Sequence, residues 1–125
     1  MIRTLISILV TLLLLLALFI TDLCYVQNTF TQFHDMLQTL FEKTEMQTAT
    51  YQDGEITRNF WESKRKILHV WLPHASIQEI DLQLNEAIGY LYQENYEDSL
   101  AKIETLICIS YLIPDSYTLK WKNIL

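Results

Sequence analysis

Side chains suited to chemistry are sparse in this sequence. His34, His69 and His74 are the only histidines. His69 and His74 are separated by Pro73 and do not fall at the spacing that sets two ligands on one helical face, so no metal site is expected. Nucleophilic catalysis needs a nucleophile oriented by a base and a supporting acid. Cys108 stands in an apolar stretch without such a signature, and no serine sits in a nucleophile elbow. A glycine-rich phosphate loop is missing too. Glu94, Glu97 and Asp98 cluster without calcium-loop spacing and read as a solvated turn. Phe60, Trp61 and Trp71 read as core rather than as a ligand platform. The expectation is a protein with no catalytic residue, no metal and no cofactor, and not an enzyme.

The elements that would position any site begin with Thr4 to Thr21. That run has no charge, no Gly and no Pro, and is crowded with Leu and Ile. As a helix its length of about 18 residues rises roughly 27 Å, enough to cross a hydrocarbon core. A helix satisfies its own backbone, so such a surface can face lipid. A cleaved signal peptide would have a shorter apolar region and small residues before the cut, whereas this run ends Ala17-Leu18-Phe19-Ile20-Thr21. A lipoprotein acylated at Cys24 would carry Leu23, too large a residue, before the cut. An uncleaved anchor over residues 1–22 is therefore expected. Arg3 precedes the span and Asp22 follows it, so the positive-inside rule places the N-terminus in the cytoplasm and residues 23–125 outside the cell membrane.

Those remaining residues are enough for one small domain. Nine Lys and Arg stand against fifteen Asp and Glu, which argues against nucleic-acid binding. Only two Gly and two Pro occur, which favours helices over a turn-rich β fold. Two cysteines are too few for a disulfide scaffold. A buried, unpaired Cys108 is the expected state, with a Cys24–Cys108 bridge as the alternative.

The spacing predicts one helix from Thr4 to about Ala49, whose outer half carries a seam of Leu23, Val26, Phe30, Phe33, Leu37 and Leu40 at alternating steps of three and four. Asp53-Gly54 marks the first turn. A second helix follows from Glu55 to Leu72, where Pro73 ends it. Ser76 and Glu79 form a capping box for a third helix that buries Ile77, Ile80, Leu84, Ile88 and Leu91 and stops at Asn95. A fourth runs from Tyr96 to Leu112, with Leu100, Ile103, Leu106, Ile107 and Tyr111 inward, and stops at Pro114.

Tyr51-Gln52-Asp53-Gly54 is matched by Tyr92-Gln93-Glu94-Asn95, and Pro73 by Pro114, at a common offset of about 41 residues that falls in the range of helical-hairpin repeats. The fold class expected is all-α: a transmembrane helix continuing into a small bundle of two antiparallel hairpins. The tail holding Trp121, Ile124 and Leu125 is apolar for a terminus. It either docks in the bundle or meets lipid headgroups or a partner, and these three are the candidate interaction residues.

The chain resembles a family of small single-span bacterial proteins known as domain of unknown function 4363. The likeness rests on the N-terminal span, on Trp61 and Trp71, on His74 followed by Glu79-Ile80-Asp81, and on Ile113-Pro114 with the Asn123-Ile124-Leu125 ending. It implies membrane anchoring and a helical outer domain, and implies no activity. Two functions fit these parts. One is a membrane-anchored module that binds another protein, with a membrane protein as the expected partner and residues 4–21 in the bilayer. The other is an extracytoplasmic ligand-binding or sensory domain whose site lies between the hairpins, lined by Tyr90, Tyr92 and Trp71.

Overall fold

A computed structural model describes the backbone of residues 1–124 and the side chains of residues 1–113. Four helices follow one another: α1 (Ile2–Glu45), α2 (Tyr51–Leu68), α3 (His74–Tyr92) and α4 (Tyr96–Ile124). α1 packs on α2 and α4, and α3 packs on the same two, so the chain runs up and down around a four-helix bundle of two antiparallel hairpins. The all-α expectation holds.

The seam on α1 packs as its spacing demands. Val26, Phe30, Phe33, Leu37 and Leu40 are buried, and Leu23 is half-buried. Opposite them Trp61 and Leu68 come from α2, Ile77, Ile80, Leu84 and Ile88 from α3, and Leu106 from α4. A smaller cluster of Leu40, Ala49, Ala87, Leu91 and Ile103 closes the far end.

The helix boundaries differ from expectation in instructive ways. Asp53-Gly54 is not a turn. The chain reverses earlier, where Gln47 takes a left-handed φ of 59°, and α2 starts at Tyr51 behind the N-cap Thr50. The Thr50 hydroxyl accepts from the Asp53 N–H at 3.3 Å, and the Asp53 carboxylate accepts from the Thr50 N–H at 2.9 Å. That reciprocal pair outweighs the turn tendency of Asp-Gly. Gly54 serves a different need. A Cβ there would stand 2.8 Å from Ile88 Cγ1, so the missing side chain lets α2 approach α3.

α2 ends at Leu68, and a further turn carries the chain to Pro73, which sits at the N-cap of α3 rather than at the end of α2. The Ser76–Glu79 box does not form, because α3 has already begun at His74 and Ser76 lies inside its first turn. Glu94, not Asn95, takes the left-handed φ of 58°. Asn95 instead caps α4, its Oδ1 accepting from the Asp98 N–H at 3.3 Å. α4 does not stop at Pro114 but continues to Ile124; a proline here deprives one upstream carbonyl of its helical donor without forbidding the helix. Tyr111 faces solvent, not the core. The repeat is not structural: Tyr51 opens α2 whereas Tyr92 closes α3, and Pro73 precedes a helix whereas Pro114 lies within one.

Candidate functional site

α1 has two unlike halves. Residues 1–18 and Ile20 are exposed, and Phe19 is half-buried. This half is long and apolar enough to cross a membrane, by length and composition. Two hydroxyls along it are folded back onto the helix: Thr11 donates to the Ser7 carbonyl and Thr21 to the Ala17 carbonyl, each at 2.8 Å. Polar groups paired in this way need no water. The bundle first touches this half at Phe19, where Trp71, in the connection between α2 and α3, packs edge-on with ring centroids 6.0 Å apart.

The bundle offers two clefts of note. Between α1 and α2 lies an open groove of about 260 Å³, bordered by Met36, Thr39, Ile56 and the Lys43–Asp53 ion pair at 3.3 Å. The Thr50 N–H, donating to the Asp53 carboxylate, holds its pKa below the ordinary value, and Lys43 adds to the effect while burial opposes it. The groove falls under the size of a typical ligand pocket. Between α2 and α3 a cleft of about 70 Å³ surrounds Asp81. Trp61 Nε1 donates to one Asp81 oxygen at 2.6 Å, and Arg65 pairs with the other at 3.1 Å. Both oxygens of that carboxylate are engaged in structure, which leaves it ill-suited to acid–base work. Lys102 of α4 meets Glu86 of α3 at 2.7 Å, and this hydrogen bond raises the Lys102 pKa.

The residues singled out by sequence are scattered. The turn at Pro73 stacks His69 on His74, with centroids 5.3 Å apart. Reasoning about a single helix face missed this approach, because a connection brings the rings together. Among the described residues no group of three His, Cys, Asp or Glu is placed to hold a metal ion. Cys24 and Cys108 are both exposed free thiols. Cys108 is thus not buried: it falls on the outward face of α4, between the inward Leu106 and Ser110.

Tyr92 packs edge-on against Tyr51 at 5.4 Å, at the far end of the bundle, whereas Trp71 lies against Phe19 at the other end. These two therefore line no common ligand site with Tyr90. Glu94 and Glu97 are exposed, and Asp98 is bonded to Asn95 at 2.7 Å as part of the cap of α4. The side chains of Trp121 and Ile124, and Leu125 altogether, lie outside the described residues. Two contacts escaped the sequence reading. Trp71–Phe19 had no local signal, because its partners are far apart in the chain. Trp61–Asp81 was open to inference from a tryptophan N–H on a core stripe, which must find an acceptor.

No curated protein and no solved structure matches the chain. The family model described as Domain of unknown function (DUF4363) matches residues 18–124. The match starts beside Phe19, where bundle and exposed half meet, and runs through all of α2 and α3 to the end of α4. On that extent, the chain belongs to the DUF4363 family.

Proposed function

We propose that this protein is a membrane-anchored helical module with a binding rather than a catalytic role, whose partner is another membrane protein. The reading has residues 4–21 crossing the bilayer, the N-terminus in the cytoplasm and residues 23–125 outside. One observation carries it: an exposed apolar half-helix runs without a break into the packed seam of a bundle. Burying the seam stabilises the bundle, while residues 1–18 are exposed among the described residues. Support for a protein partner comes from α4, where Cys108, Tyr111 and Leu112 present an outward, partly apolar face.

Two experiments test this reading. In a Cys24→Ala/Cys108→Ala background, Gln52→Cys supplies an exposed thiol at the far end, since Gly54 is buried against Ile88. Labelling in intact cells with an impermeant reagent, on a chain of full-length mass, is the expected result. Labelling only after lysis reverses the orientation, and a shortened, released chain removes the anchor. A photo-crosslinker at Tyr111 or Leu112 is then expected to trap a membrane protein. Recovery of monomers alone from intact membranes overturns the binding role.

A further inference from the structure

Trp71 packs on Phe19, where the exposed half of α1 meets the bundle. Phe19 lies two residues inside the apolar run that ends at Thr21, about 3 Å along the helix. Whatever surrounds the end of that run therefore surrounds Trp71 as well, at a centroid distance of 6.0 Å. Beside Trp71 the connection presents Val70, 75% exposed, and Ile67 in the last turn of α2, 49% exposed. Both are exposed apolar side chains in the part of the bundle nearest the exposed half of α1.

One turn further out the character changes. The Lys64 ammonium stands over the Tyr25 ring at 5.5 Å. Tyr25 is six residues beyond Phe19, about 9 Å along α1, which is the scale of the headgroup layer outside a hydrocarbon core. A tryptophan with aliphatic neighbours at the acyl boundary and a lysine at phosphate depth is the pattern of a membrane interface.

We propose that the connection between α2 and α3 is a second lipid-contacting site, in which Ile67, Val70 and Trp71 enter the acyl–headgroup boundary of the bilayer that residues 4–21 cross and Lys64 meets its phosphates. The inference rests on the anchoring reading and goes beyond it: the bundle does not hang from a tether but lies with one end in the membrane surface. The occupant is lipid because the site is continuous with the span. A protein seated there would have to displace the lipid that surrounds the end of the same helix.

The test uses the full chain in nanodiscs of phosphatidylcholine and phosphatidylglycerol, in the Cys24→Ala/Cys108→Ala background. Leu12→Cys, Val70→Cys and Gln52→Cys each carry a nitrobenzoxadiazole probe, with circular dichroism to check helicity. Ile67→Cys replaces Val70→Cys should the latter lose its fold. Lipids spin-labelled near the acyl carbonyl are expected to quench the probe at Val70 and to shift its emission to the blue. Lipids labelled near the chain terminus are expected to quench Leu12, and Gln52 is expected to respond to neither. Quenching at Leu12 with none at Val70 or Ile67 overturns the lipid site and leaves the anchor standing. Loss of quenching at all of them overturns both.

Discussion

The two halves of α1 share a helix and a taste for large apolar side chains, yet meet different fates. From Leu5 to Leu18 the apolar residues cover every face and all are exposed. From Val26 to Leu40 they fall on one stripe, and that stripe is closed off by the other three helices. Composition alone does not separate the halves; periodicity does. An apolar surface all round a helix has no partner geometry within a small bundle and suits a uniform apolar solvent. A stripe specifies neighbours.

The comparison breaks hardest at Phe33. It is fully buried between Phe60 and Trp61, its ring 5.1 Å from that of Trp61. Phe33→Ala is expected to cost the bundle about 3–5 kcal/mol in denaturant unfolding of the detergent-solubilised chain. Leu14→Ala, in the exposed half, is expected to leave that transition unmoved; equal losses would erase the distinction.

Next comes charge. Leu12→Arg is expected to raise the cost of insertion by about 3 kcal/mol and to move chain out of the membrane fraction, with the unfolding of the bundle unchanged. Retention of the variant in membranes at the wild-type level counts against the span.

The glycines sharpen the picture of what a packed half requires. Gly54→Ala brings a methyl to 2.8 Å from Ile88 and is expected to cost about 1–3 kcal/mol. Gly89→Ala meets nothing within 4 Å and is expected to gain up to about 1 kcal/mol through helix propensity. Thermal unfolding of the pair should shift in opposite directions, and a common sign would contradict the helix packing described.

The smallest effect is at the cap of α2. Thr50→Ala is expected to cost about 1 kcal/mol. The Asp53 pKa is depressed in the folded state, so its contribution is present above the unfolded value near 4 and lost as pH falls through the folded one. Wild type should lose Tm over that acidic window; Thr50→Ala, which keeps the backbone N–H that lowers the Asp53 pKa most, should lose nearly as much, and Asp53→Asn should lose less.

Much of this was legible from side-chain spacing. The seam on α1 and the buried face of α3 follow from steps of three and four, because burial on a helix is a matter of angle. Signals that compete were harder to weigh. Asp53-Gly54 reads as a turn in isolation, but Thr50 three residues before Asp53 offered a cap, and the glycine was wanted for Ile88. Pro114 reads as a stop, yet α4 runs on along the backbone to Ile124. The Phe19–Trp71 contact joins residues distant in the chain, and no local pattern encodes it. For the same reason the connection proposed to meet lipid becomes legible only once the bundle is assembled.

α1 carries neither Gly nor Pro along its 44 residues, and no irregular segment separates its halves. Its length of about 66 Å makes it a lever rather than a leash. A change in bilayer thickness is answered by helix tilt. Here about 24 residues, some 36 Å of the same rod, stand beyond Thr21, so a tilt of ten degrees would swing the Gln47 end sideways by roughly 6 Å. With residues 4–21 in the bilayer as proposed, mechanical state in the lipid would arrive at the far end of the bundle magnified, with no hinge to absorb it.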